Sequence, residues 1–284
     1  MKPVTKQKNR IIIFIGGTSR SGSTLLDLIL GNNKQAVSLG EISSIIHPTK
    51  EKHFISRSKL LSDKIWGDIF RDKKSKLYDN IINAFPNKEI FIDSSKDPLW
   101  IDYHNRKMNN KCIVKNVLIY KKPSELANSF AKRGHNDKWL RACKHYHKKY
   151  NTLINDYFTI YLGDLLRDDK VLEQACKRLG VPYHENMKNY VGNNRALFFG
   201  SETPNKKRGV DNSKTDISDL HIPINGISSL EDIINLLESK NISKAGYVSN
   251  NQCIRYSIFY MAALRLKTIV AHAYIRSKHL TFMI

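Results

Sequence analysis

The residues best equipped for chemistry lie near the start of the chain, in Gly17-Thr18-Ser19-Arg20-Ser21-Gly22-Ser23-Thr24. A glycine-rich turn lets several backbone N–H groups point at one spot, and a helix N-terminus behind it adds positive potential. Hydroxyls and one guanidinium complete what an anion needs, and the usual anion at such a turn is a phosphate. The spacing matches the nucleotide-triphosphate loop G-x-x-x-x-G-K-[ST] at Gly17, Gly22 and Thr24. Ser23 stands where that loop has lysine, and the cation is Arg20, in mid-loop. Without the lysine that grips β- and γ-phosphates the loop is poorly suited to ATP hydrolysis, yet it can cradle a 5′-phosphate. A plain glycine turn without a ligand is the alternative. Strand–loop–helix context, glycine spacing and hydroxyls together argue against it.

The elements that must position this loop are legible as runs of apolar residues. Ile11 to Ile15 reads as a buried strand and Leu25 to Leu30 as the helix after the loop, stopped at Gly31-Asn32-Asn33. Further strands are expected at 36–39, 89–92, 112–120 and 157–161. Helices are expected at 77–85, at 98 onward, from near Ser124 to near Gly134, and at 137–153, 168–179 and 230–237. Residues 50–75 read as helices or an excursion over the substrate side, 184–225 as loops, and 254–276 as one or two helices. Strands alternating with helices imply an α/β fold: a P-loop-type parallel sheet flanked by helices, with a mostly helical C-terminal extension. The expected division is an α/β domain over 1–225 and an extension over 226–284, packed on the same domain.

The chain has 284 residues and a formal net charge of +21, which suits nucleic acid, an anionic membrane surface, or an anionic cofactor or substrate. Lysine, asparagine and isoleucine are abundant throughout, so part of the charge is compositional. Cys112, Cys143, Cys176 and Cys253 are scattered without a CxxC pair, which suggests neither a zinc site nor a disulfide scaffold. The apolar run behind the basic N-terminus is too short for a signal peptide. No apolar stretch reaches the roughly 18 residues of a membrane span.

Several motifs together give the chain a resemblance to the sulfotransferases that use 3′-phosphoadenosine 5′-phosphosulfate (PAPS), nearer the bacterial carbohydrate and tyrosylprotein types than the cytosolic small-molecule type. Thr18 to Leu26 resembles the family's 5′-phosphosulfate loop. Lys121-Lys122-Pro123 with Ser129 and Arg133 resembles its 3′-phosphate motif, a cation followed two places later by Pro and eight later by Ser. The family usually has Arg where this chain has Lys121, which keeps the charge and loses the bidentate fork. Leu39-Gly40-Glu41 resembles the segment that supplies the catalytic carboxylate, and Asp93-Ser94-Ser95-Lys96 a second strand-end loop. Gly192-Asn193, with Arg195 nearby, resembles a late Gly-Asn element. Lys206-Lys207-Arg208-Gly209 is similar to a basic-glycine element near the 3′-phosphate. The resemblance covers about residues 10–200.

It implies sulfuryl transfer from PAPS to a hydroxyl acceptor without a metal. Thr18, Ser19, Arg20, Ser21, Gly22, Ser23 and Thr24 would bind the donor's 5′ end, and Lys121, Ser129, Arg133 and Asn193 the rest. Two cationic strand-to-helix turns suit a donor with phosphates at both ends of its ribose. Arg20 is expected to neutralise charge on the leaving phosphate. A base is needed for the acceptor proton. Glu41 is the candidate, with a helix-capping role as its alternative and His47 and Asp93 as substitutes. Ser94, Ser95 and Lys96 are expected to touch the acceptor, or to cap the helix near Pro98. The acceptor is read as a carbohydrate hydroxyl, with tyrosine or a small alcohol behind it. Two other classes stay open: a P-loop kinase using Mg-ATP, with Asp93 as metal ligand, and a basic nucleic-acid-binding protein without catalysis. Specific nucleic-acid binding is not expected, because aromatics are not interleaved with the basic residues. The expected location is the cytoplasm, of bacterial or viral origin.

Overall fold

In the computed structural model, residues 10–71, 76–132, 138–190 and 230–243 are described. Their frame is a five-stranded, wholly parallel sheet in the order β2-β3-β1-β4-β5. The strands are β1 (Ile11–Gly16), β2 (Ala36–Gly40), β3 (Ile90–Asp93), β4 (Ile113–Tyr120) and β5 (Phe158–Tyr161). All five lie where apolar runs placed them. A strand covered on both faces has no polar side to alternate with, so it reads as a continuous apolar run. Ile12 and Phe14 of β1 pack into one core with Phe91, Leu118 and Tyr120. Ile13 and Ile15 pack into the other with Ile92, Val117 and Ile119.

The helices are α1 (Ser23–Gly31), α2 (Ile42–Ile46), α3 (Glu51–Ser62), α4 (Lys64–Arg71), α5 (Leu77–Ala84), α6 (Pro98–Met108), α7 (Pro123–Ala131), α8 (Lys138–Leu153), α9 (Leu162–Arg167), α10 (Asp169–Leu179) and α11 (Glu231–Ser239). Residues α1 and α10 contribute line one face of the sheet, and residues of α2 to α6 and α8 line the other. Within the expected excursion, residues 51–71 form a helical pair, α3 and α4, broken where the Asp63 carboxylate takes the Ile65 and Trp66 amides, both at 2.9 Å. The short α9 leaves little sequence signal, because six residues with Leu162 and Leu165 buried carry almost no periodicity.

Residues 240–242 run along the outer strand. The Thr159 amide donates to Lys240 O at 3.0 Å and the Ile242 amide to Thr159 O at 3.1 Å. Leu230 packs with Trp139 and Leu126, so α11, beyond the expected boundary at 225, is seated on the α/β domain. The expected helices at 254–276 lie outside the described residues, as do Arg133, Asn193, Arg195 and Lys206 to Gly209.

The order fixes where a site can be. From β1 the chain moves to β2 and β3 on one side, then crosses to β4 and β5 on the other. The loops after β1 and β4 therefore leave adjacent strands at the point where the winding reverses, the usual ligand crevice of an open parallel sheet.

Candidate functional site

The β1 loop has the backbone its glycines suggest. Gly17 has φ 150° and Gly22, the N-cap of α1, φ 104°. A Cβ on Gly17 would lie 2.3 Å from Ser21 Oγ and 2.7 Å from Ile119 O, so no other residue fits there. The Ser21 amide donates to Thr18 O at 3.1 Å and closes the turn. Thr18, Ser21, Ser23 and Thr24 are buried, Arg20 is half-buried and Ser19 is exposed. The first turn of α1 holds no acidic side chain and its N-cap makes no side-chain bond, while the leading amides of any helix lack intrahelical acceptors. The fully buried Ser21 Oγ has no hydrogen-bond partner among the described residues. A buried hydroxyl without a partner, beside a helix start without an acid, fits an anion's oxygen.

The β4 turn arrives at the same place. Arg20 Nε donates to Ser129 Oγ on α7 at 3.4 Å, across 109 residues of chain. Burial lowers the pKa of the Lys121 ammonium, and the nearby charges of Arg20 and Lys132 push the same way against Glu125. Three cations and the Ser129 hydroxyl thus gather where two strand ends meet. Lys122 turns aside, its Nζ 5.2 Å from the centre of the Tyr161 ring. Its amide donates to Glu125 Oε2 at 2.9 Å, which caps α7. Lys121, not Lys122, therefore faces the loop's cation.

The β2 and β3 ends complete the edge. Parallel register sets Gly40 beside Asp93, so Glu41 is the first residue past the sheet. It occupies the N-cap place of α2 but makes no capping bond. The Ser95 hydroxyl accepts the Ser43 amide instead, at 3.0 Å. Glu41 Oε1 pairs with Lys96 Nζ at 2.5 Å, both side chains about one-fifth exposed. Ser94 donates its hydroxyl to the buried Asp27 at 2.6 Å, and Ser38 donates to the same carboxylate at 2.5 Å. Ser94 and Ser95 thus build the turn, and Lys96 is the member of that segment whose side chain reaches the carboxylate. The cap of α6 is Asp97, which takes the Leu99 amide at 3.0 Å.

Asp93 is enclosed. It accepts hydrogen bonds from the Tyr78 hydroxyl, from Trp100 Nε1 at 2.7 Å and from the Ser95 amide at 2.7 Å. Burial raises its pKa in spite of these donors. His47 is exposed at the end of α2, edge-on to Trp100 at 6.1 Å.

One participant escaped the sequence reading. The Tyr146 hydroxyl on α8 accepts the Gly17 amide at 2.7 Å and donates to Lys96 O at 2.7 Å. Gly16 makes room for the neighbouring Tyr150, whose ring lies 2.3 Å from where its Cβ would be. Two glycines at the end of an apolar strand do signal that something large approaches, but not which residue does.

Comparison with known proteins gives the fold. No protein-family model matches the chain, and a search of curated proteins finds no significant match. Among solved structures, the sulfotransferase domain of the Synechococcus PCC 7002 olefin synthase is similar over 84% of this chain and 97% of its own, with 19% identity and a TM-score of 0.58. The sulfotransferase domain from the curacin biosynthetic pathway is similar over 81% and 98%, with 16% identity and a TM-score of 0.59. The chain has the fold of these sulfotransferase domains. No helix among the described residues is long and apolar enough to cross a membrane.

Proposed function

We propose that this protein is a sulfotransferase that moves the sulfuryl group of PAPS to an acceptor hydroxyl. The observation that carries the reading is the contact of Arg20 with Ser129, which joins two cationic, hydroxyl-bearing strand ends into one anion-binding edge. A donor with a phosphate group at each end of its ribose needs two such turns side by side. When bound, it supplies a sulfuryl group that leaves the 5′-phosphate oxygen for the acceptor oxygen. Residues 18–24 would hold the 5′ end. Lys121 and Ser129 would hold the 3′-phosphate, together with Arg133 and Asn193 as the resemblance implies. Arg20, tied to both turns, neutralises charge that builds on the leaving oxygen.

Glu41 is the proposed base. Lys96 fixes one carboxylate oxygen, and Oε2 has no partner among the described residues, so it is available to the acceptor's proton. The acceptor is proposed to be a carbohydrate, with tyrosine or a small alcohol behind it, on the resemblance of Leu39-Gly40-Glu41 and Asp93 to Lys96 to the tyrosylprotein and some bacterial carbohydrate members. Cys112, Cys143 and Cys176 are buried free thiols, which suits a reducing compartment such as the cytoplasm. The kinase reading loses its metal ligand, because Asp93 is committed to Tyr78, Trp100 and Ser95.

A mass-spectrometric screen of transfer from PAPS to pooled glycans, peptides and alcohols tests the proposal. A sulfated product is expected from the wild type. Arg20→Ala should lower the rate about 10²–10³-fold, as the loss of one charge-stabilising donor does. Undiminished turnover in that variant would overturn the assignment of the loop.

A further inference from the structure

The Tyr146 side chain hydrogen-bonds both the anion loop and the segment carrying the catalytic pair. Its ring stacks on Tyr150 one turn along α8, with centroids 5.9 Å apart. Burial raises its phenol far above the usual range, so the hydroxyl keeps its proton and can donate and accept at once. What it joins is backbone: the amide of Gly17 and the carbonyl of Lys96. Lys96 and Arg20 are the non-glycine residues with positive φ among the described residues, at 69° and 74°. A left-handed backbone at a long side chain is disfavoured and persists where surrounding bonds over-determine it. The Lys96 turn is held on one side by Ser94 and Ser95 and on the other by Tyr146. Its Nζ, in turn, holds Glu41. Residues 97 to 145 separate Lys96 from the tyrosine in sequence, so nothing local substitutes for this bond.

We propose that Tyr146 is a positioning residue that sets the distance between the donor loop and the Lys96–Glu41 pair. It touches neither donor nor acceptor. It keeps the Lys96 carbonyl and the Gly17 amide on one oxygen, so the carboxylate and the anion loop cannot drift apart when the acceptor is bound. The proposal rests on the sulfotransferase reading for its kinetic consequence and on geometry alone for its structural one.

Tyr146→Phe removes the oxygen and keeps the ring. Tyr150→Phe is the control, since the Tyr150 hydroxyl is buried without a hydrogen-bond partner among the described residues. For Tyr146→Phe we expect kcat for sulfate transfer to fall at least about tenfold with KM for PAPS nearly unchanged, as for a sub-ångström misplacement of reacting groups. Tyr150→Phe should keep wild-type kcat. Amide exchange read by NMR needs no turnover. Exchange at Gly17 should rise about tenfold or more in Tyr146→Phe, the size of one lost hydrogen bond, while β1 and β4 core amides stay protected. Unchanged kcat, unchanged exchange at Gly17, or an equal loss in Tyr150→Phe would overturn the proposal. A wild type that transfers no sulfate, but whose Gly17 exchange responds to Tyr146→Phe as stated, would refute the reaction and leave the bridge standing.

Discussion

Glu41 and Asp93 stand at the ends of adjacent parallel strands, one residue apart in register, and their surroundings send them in opposite directions. Asp93 faces the aromatic core formed by Tyr78, Trp100 and His104, and each of its bonds comes from the fold itself. Glu41, just past the sheet edge, keeps one lysine partner and some exposure. A strand-end carboxylate is thus assigned by which way the chain turns after it. The turn at Gly40, with φ 65°, carries Glu41 beyond the sheet. Asp93 is still in the strand and is closed over by α5 and α6. Position at the strand ends alone does not separate a candidate base from a structural acid.

The largest effect that would test this contrast is in catalysis. Glu41→Gln should cut turnover about 10²–10⁴-fold, the usual contribution of a positioned general base. Bisphosphate affinity and the unfolding transition should stay near wild type, since among the described residues Lys96 alone ties the carboxylate to the fold. Steady-state rates on the sulfated product settle it, and retained turnover would transfer the base role elsewhere. The reciprocal change, Asp93→Asn, should leave catalysis per folded molecule largely intact. It should cost about 1–3 kcal/mol of stability, because the amide keeps one accepting oxygen where Tyr78 and Trp100 use one carboxylate oxygen and the Ser95 amide the other, so one side is left facing an NH2 donor. Urea titration measures this.

Asp93 also predicts a pH signature. Its folded pKa lies above the unfolded value of 3.8, so the native state binds the extra proton. Its contribution therefore declines as pH rises from about 4 through the folded pKa. Wild-type stability relative to Asp93→Asn should fall over that interval and then level off. The buried histidines act the other way. Burial pulls the pKa of His104 down to about 3 and of His147 to about 4, from 6.5. The unfolded chain then binds protons that the native one refuses. Stability is whole above about 6.5 and is lost as pH falls toward 4, by up to about 1.4 kcal/mol per unit for each histidine. Replacing His147 by Phe should make that slope shallower. The smallest expected effect is Ser129→Ala, a roughly tenfold loss of preference for nucleotides bearing a 3′-phosphate, about one hydrogen bond to a charged group.

Much of the frame was readable in advance for a physical reason. Five buried parallel strands must be apolar along their length, and Gly17 and Gly22 announce a backbone that side chains forbid. Lys121 and Ser129 are candidates through the resemblance of their segment to a 3′-phosphate motif, and the meeting of Ser129 with Arg20 across the sheet edge is what the structure adds. The roles of Ser94 and Ser95 were not legible, because a hydroxyl at a strand end can serve a ligand or the buried Asp27 equally well until the fold is known. Tyr146 left no local trace at all. Its two partners, Gly17 and Lys96, lie far from it in sequence, and an aromatic on a helix face reads as core.

The central claim is that two phosphate turns act as one. Calorimetric titration with adenosine 3′,5′-bisphosphate in the presence of a metal chelator tests it most directly. Saturable binding of the bisphosphate is expected, at least about tenfold tighter than that of adenosine 5′-monophosphate, since one hydrogen bond to a charged group contributes about 1.5–3 kcal/mol. Equal affinity for the two nucleotides, or binding only of ATP and only with magnesium, would contradict it.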